Sequence, residues 1–257
     1  MPMLLSFWLS KKKGKEVFAK PVLDHEKGSV HFEIASGKNG VSDHTSDRAG
    51  ARCFFCSQFI KKPELCDLSS KHGVDEIPLA IVAEGTRERV YIPSSSDLIP
   101  AAEKPDVPAL QQAITNDKRW FSPPLYGLPE FADLFTPRQL TALVTFSDLV
   151  KDAREQVLKD AQTTGAFPAG NRGIAEGGTG PQAYADAVAT YLAFGVDKLA
   201  DRASTISTWD SGYTKIRSTF GRQALPMTWD FACIWGRATL NAYGQRICVE
   251  KTLVFGA

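Results

Sequence analysis

Thr136-Pro137-Arg138-Gln139-Leu140 marks the point at which the chain passes from strand-forming to helix-forming sequence. Thr136 can cap a helix, Pro137 suits its first turn, and Gln139 completes a capping box three residues after the threonine. Leu140, Leu143, Val144, Val150 and Val157 then recur at helical spacing, which predicts a helix to about Ala161. Gly165 to Gly180, with glycines also at 170, 173, 177 and 178, reads as a flexible loop. A second helix is expected from about Pro181 to Arg202, with Tyr184, Val188, Tyr191, Leu192, Val196 and Leu199 along one broad face, and the two helices should pack together.

Upstream of this pair the pattern is different. Val30, Phe32 and Ile34 alternate between Gly28, Gly37 and Gly40, and Pro78–Ala83 and Val90–Ile92 read as two further short strands. Pro93, Pro100, Pro105, Pro108, Pro123, Pro124 and Pro129 forbid long regular elements between them. The expected class is therefore α+β: a β-rich region over 1–92, a Pro-rich connector over 93–129, and a mainly helical region from 130.

Composition narrows the function. With 30 basic and 29 acidic side chains the net charge is +1, so any contact with a polyanion must come from a local cluster. Hydrophobic residues at 43% are enough to bury a core. No apolar run approaches the roughly 20 residues of a membrane span. The opening residues lack the pattern of a secretory leader, and a cytoplasmic protein is expected. Five cysteines spread over a long chain read as thiols or metal ligands rather than a disulfide framework.

Cys53-Phe54-Phe55-Cys56 is the sharpest local signal, because two thiolates two residues apart on a tight turn can both reach one tetrahedral zinc ion. One pair is half a site, and two reduced thiols in a turn is the alternative. Cys66 and His72 could complete a set of three thiolates and one imidazole, whereas His25, His31 and His44 read as surface or strand residues. Lys11-Lys12-Lys13-Gly14-Lys15 beside Phe7-Trp8 joins cations to aromatic rings, a combination that neutralises phosphates and stacks on bases, although such runs are also ordinary solvated turns.

Ser122-Pro123-Pro124-Leu125 approximates a base-gripping tetrapeptide but lacks the stacking ring, and it reads as connector. Gly177-Gly178-Thr179-Gly180 follows no apolar strand, so it reads as loop rather than a phosphate cradle. No nucleophilic triad, metal-hydrolase helix or P-loop is present, and Asp148, Asp152 and Glu155 read as the wet face of a helix.

Three longer stretches occur in fixed order: Phe7 to Lys15, Ala132-Asp133-Leu134-Phe135-Thr136-Pro137-Arg138-Gln139-Leu140, and Phe220-Gly221-Arg222-Gln223-Ala224-Leu225-Pro226-Met227. Together with Gly50-Ala51-Arg52-Cys53, Ala83-Glu84-Gly85 and Asp197-Lys198-Leu199-Ala200-Asp201-Arg202, they resemble a bacterial and archaeal family of adenine-specific DNA methylases that contain a zinc ribbon and are linked with phage defence. The resemblance spans roughly residues 4 to 231 and leaves 232–257 as a divergent tail.

It implies transfer of a methyl group from S-adenosylmethionine to the exocyclic amine of adenine, whose lone pair is shared with the ring and must be localised by hydrogen bonds to the extruded base. In the family a first Cys-x-x-Cys knuckle precedes the segment matching Phe7 to Lys15. A glycine-rich cofactor motif lies before the ribbon, and an Asp-Pro-Pro-Tyr motif lies after the segment matching Phe220 to Pro226. None of these stands in the 257 residues, and Ser57 occupies a position where the knuckle commonly has a turn glycine.

The resemblance thus implies the central, noncatalytic part of a larger α/β methyltransferase: a partial zinc ribbon and a helical region, with DNA and companion polypeptides as partners and no cofactor-binding or catalytic residues of its own. Lys11, Lys12, Lys13, Lys15, Arg138, Arg217, Arg222 and Gln223 are the candidates for phosphate or base contacts. Arg222 and Gln223 could instead tie the helical region to a catalytic domain, with Phe220, Leu225 and Met227 packing around them. The other reading is a noncatalytic zinc-ribbon module that binds DNA or protein.

Overall fold

The computed structural model describes residues 2–94, 102–115, 117–235 and 246–252, the stretches 234–235 and 246–252 by backbone only. The divergent tail of 232–257 thus lies partly outside the described residues. The fold is mixed α+β, and the chain forms two compact units.

The larger unit comprises Met1–Ala102, Asp106–Thr136 and Arg202–Ala257. Strands β1 (Trp8–Lys12), β2 (Lys15–Asp24) and β3 (Ser29–Ser36) make an antiparallel meander in that order. The alternation read at Val30, Phe32 and Ile34 falls on β3, where Phe32 is buried and its two neighbours are half-buried against the same cluster. A short pair, β4 (Gly50–Arg52) and β5 (Phe59–Lys61), leads into helix α1 (Lys62–His72). Pro63 suits its first turn, where no amide donor is needed, and Glu64 in the first turn with Lys71 and His72 in the last complement the helix dipole.

Strands β6 (Glu76–Glu84) and β7 (Arg89–Pro93) follow the two short strands read from sequence. Later in the chain, β8 (Trp209–Asp210) and β9 (Lys215–Ile216) form a short antiparallel pair. β6 is interior to an antiparallel sheet whose order is β10 (Asp230–Trp235), β11 (Arg246–Thr252), β6, β7. Its run from Leu79 to Val82 is buried without alternation, as expected of a strand covered on both faces. The divergent tail therefore enters the sheet, with Cys248 opposite both Cys233 and Ile81 in register.

The central cluster, Leu4, Phe7, Leu9, Ala19, Phe32, Leu79, Val82 and Ala232 among others, joins the meander to this sheet. A second cluster sets Met3, Ala51 and Leu65 against Tyr126 and Trp229, whose rings meet edge to face at 4.8 Å. Tyr126 comes from the Pro-rich connector, which contributes to the core more than its composition suggests: Ile114, Pro123 and Tyr126 are all buried.

The smaller unit is a helical hairpin, Glu103–Pro105 with Pro137–Asp201. Helix α2 (Pro137–Thr164) begins where the cap signal places it, and α3 (Pro181–Ala200) pairs with it as expected. The apolar stripe read on α3 is not its buried face, however. Ala183 and Ala185 are buried, while Tyr184, Tyr191 and Leu192 are exposed and Val188, Val196 and Leu199 are half-buried. The Gly-rich loop is closely folded: a Cβ on Gly178 would lie 2.0 Å from the carbonyl oxygen of Arg172, so only glycine fits there. The sequence boundary of 130–231 for the helical region differs from this unit, because the described residues from Arg202 onward, like residues 130–136, belong to the larger unit.

Candidate functional site

Cys53 to Ser57 form the turn between β4 and β5. The amide of Cys53 donates to the carbonyl of Gln58 at 2.9 Å, and that of Ser57 to the carbonyl of Cys53 at 3.0 Å. Arg52 Nη1 donates to the Ser57 carbonyl at 2.9 Å. Ser57 has a φ of 60°, the left-handed conformation for which glycine is the natural residue. Phe54 anchors the turn on Phe7, ring centroids 5.8 Å apart, and Phe55 packs edge-on against His25 at 5.7 Å.

Burial raises the Cys53 pKa, but the amides of Cys56 and Phe55 and the thiol of Cys56 all hydrogen-bond its sulfur. The result is a thiol titrating below its ordinary value. Amides aimed at a sulfur on a two-residue turn are the arrangement that favours a metal-binding thiolate, so Cys53 and Cys56 fit half of a zinc site.

The other two proposed ligands do not join them. Cys66, on α1, hydrogen-bonds the phenol of Tyr126 within the second apolar cluster, where burial raises the Tyr126 pKa. His72 is exposed at the end of α1. Among the described residues no group of three or more His, Cys, Asp and Glu side chains is placed to hold a metal ion.

The basic run forms the β1–β2 turn. Lys12, Lys13 and Lys15 line a cleft of about 900 Å³ whose opposite wall is the β6–β7 turn, with Arg87 and Arg89. The second turn is tight: the amide of Gly85 donates to the carbonyl of Glu88 at 2.9 Å, and a Cβ on Gly85 would lie 2.4 Å from that oxygen. Tyr91 lines the cleft and hydrogen-bonds Ser10.

The acidic residues in the lining are neutralised. Glu88 pairs with Lys15 at 2.7 Å, Glu84 with Arg89 at 3.0 Å, and Glu16 with Lys38 at 3.5 Å. Lys12, Lys13 and Arg87 have no carboxylate partner among the described residues. Lys11 instead lies 5.8 Å from the centre of the Trp8 ring, and its amide donates to the Ser211 carbonyl.

The remaining candidates are scattered. Arg217 is held by Asp210, Nη2 to Oδ2 at 3.0 Å, and the same carboxylate accepts the amides of Gly212 and Tyr213. Arg138 is on α2 in the helical unit. Arg222 and Gln223 are exposed on the turn that follows Phe220. Phe220 is itself exposed, a correction to the expected packing role, whereas Leu225 and Met227 do pack against apolar clusters. Ser122 is structural: its hydroxyl accepts the amide of Met227 at 2.7 Å, and its amide donates to Leu225.

Arg87 and Arg89 escaped the sequence reading because charged residues in a short turn between strands are ordinary. The signal available was the pairing of the two strands that flank them.

No family model, no curated protein and no solved structure matches this chain.

Proposed function

We propose that this chain is the central, noncatalytic segment of a cytoplasmic DNA adenine methyltransferase, a partial zinc ribbon and helical hairpin that bind DNA alongside companion polypeptides. The observation that carries the reading is the Cys53–Cys56 turn. It lies within the segments that resemble the zinc-ribbon methylases, and its amides converge on a thiol of lowered pKa. Zinc would be held there by Cys53 and Cys56, with further ligands from a companion chain completing four-coordination. S-adenosylmethionine, bound by the companions, supplies the methyl group. This chain's part is to hold the DNA near that chemistry through the cations of the β1–β2 turn.

The alternative, a noncatalytic protein-interaction module, is favoured by α3, on which Tyr191 is 77% and Phe194 57% exposed. In a methyltransferase assembly the same face would meet a companion chain.

Titration calorimetry of the purified chain with S-adenosylmethionine tests the proposal. No binding heat is expected, and methyl transfer should appear only when polypeptides carrying the cofactor loop and the Asp-Pro-Pro-Tyr loop are added. Micromolar binding by the chain alone would overturn it.

A further inference from the structure

We propose that the cleft between the Lys12–Lys15 turn and the Gly85–Glu88 turn binds the sugar–phosphate backbone of a single nucleic-acid strand. The proposal rests on the DNA-binding reading above and assigns it a surface and a strand state.

The charge balance of the cleft favours an anion. Each of its carboxylates is spent on an ion pair, Glu88 with Lys15, Glu84 with Arg89 and Glu16 with Lys38. Lys12, Lys13 and Arg87 are exposed, line the cleft from both walls and have no carboxylate partner among the described residues. Three uncompensated cations facing one concave space attract an anion, and the potential is focused by the walls around it. Arg89 adds a second sign: its guanidinium lies 5.7 Å from the centre of the Trp209 ring, and its Nη1 is buried with no hydrogen-bond acceptor among the described residues.

Size and chemistry then separate the possible anions. The cleft holds about 900 Å³. That is near the top of the roughly 300–1,000 Å³ of pockets that take organic ligands, and far more than one phosphate ion needs. Its cations are spread along two opposed turns rather than gathered at one point, and two of the three are lysines, point charges that follow a backbone without reading its bases. Tyr91 in the lining is half-buried, packs against the central apolar cluster and hydrogen-bonds Ser10. A basic groove with an aromatic side chain is the arrangement that holds single strands with little sequence preference. A single strand also offers a base without the unstacking and unpairing that extrusion from a duplex costs.

The test is fluorescence anisotropy of the full chain with a labelled oligothymidylate and with a duplex, over a series of salt concentrations. The wild type should bind the single strand more tightly than the duplex. The variant Lys12→Gln/Lys13→Gln/Arg87→Gln, which changes only exposed side chains, should bind the strand about tenfold or more weakly, with the slope of log K against log salt shallower by about 2. Lys61→Gln/Lys62→Gln, which alters exposed lysines outside the cleft, should bind as the wild type does, and circular dichroism melting should show all the proteins equally folded. Wild-type binding that the triple variant retains would overturn the cleft assignment while leaving the DNA-binding reading intact. Failure of the wild type to bind either DNA would overturn both. Preference for the duplex would overturn the single-strand assignment. Displacement of the oligonucleotide by inorganic phosphate beyond that by chloride at equal ionic strength would make this an isolated phosphate site, and would also overturn it.

Discussion

Lys15 Nζ lies 2.7 Å from Glu88 Oε2, so a single ion pair joins two hairpin turns that stand 73 positions apart in the chain. Both side chains are more than half exposed, and a pair so placed adds little to stability. Its effect is local: it occupies one cation of the basic cleft and holds the Glu88 carboxyl below its usual pKa, first through the hydrogen bond from Lys15 and then through its charge.

Glu88→Gln is therefore expected to leave the melting temperature within about 2 °C of the wild type, as for other exposed pairs. Oligonucleotide binding should tighten a few-fold, because Lys15 is released and a negative charge is removed from the cleft. Weaker binding in this variant would contradict the charge balance described for the site.

Asp186 contributes to the acid stability of the helical hairpin. Arg154 Nη2 lies 2.6 Å from its Oδ1, and the amide of Ile174 donates to Oδ2 at 3.1 Å, so one carboxylate ties α3 to α2 and to the glycine-rich loop. The hydrogen bond from Arg154 is the main reason its pKa lies below the ordinary value. A depressed folded-state pKa contributes stability that is present above the unfolded value, about 3.9, and is lost as pH falls through the folded value. Asp186→Asn should cost about 1 kcal/mol at neutral pH, since the pair is partly exposed. It should also flatten the loss of stability below about pH 4. Thermal melts of both proteins across that range check the sign.

Phe7→Ala should be among the most damaging substitutions in the larger unit. Phe7 is 1% exposed, belongs to the cluster that joins the two main sheets, and meets the ring of Phe54 in the cysteine turn. A loss of about 3–5 kcal/mol is expected from the lost burial and the cavity left behind, read from urea unfolding.

Ser57→Gly should stabilise the cysteine turn. The serine has a φ of 60°, where a side chain carries a penalty that glycine avoids. Part of the gain is offset by the greater freedom of glycine in the unfolded chain, leaving about 0.5–1 kcal/mol. A destabilised Ser57→Gly protein would show that the serine side chain makes a compensating contribution.

Local signals in the sequence carried the secondary structure well and the tertiary arrangement poorly. The alternation at Val30, Phe32 and Ile34 and the sequence Thr136-Pro137 are short-range patterns, and the strand and helix they imply are present. The insertion of β11 beside β6 depends on pairing between residues far apart, and no local pattern at 246–252 names its partner. On α3 the aromatic stripe misleads, because the buried positions are Ala183 and Ala185 while Tyr184, Tyr191 and Leu192 are exposed.

The site was legible to the same degree. Cys53 and Cys56 are separated by only two residues, and their thiols meet in the turn. Cys66 was diverted by Tyr126, a partner supplied by the connector. Lys12 and Lys13 were visible as a charge run, but the arginines opposite them were brought there only by the packing of two sheets.

The most direct test of the account is a methyl-transfer assay with the purified chain, tritiated S-adenosylmethionine and DNA, both duplex and single-stranded. No label should appear on adenine from this chain alone. Labelled N6-methyladenine formed without any added polypeptide would contradict it.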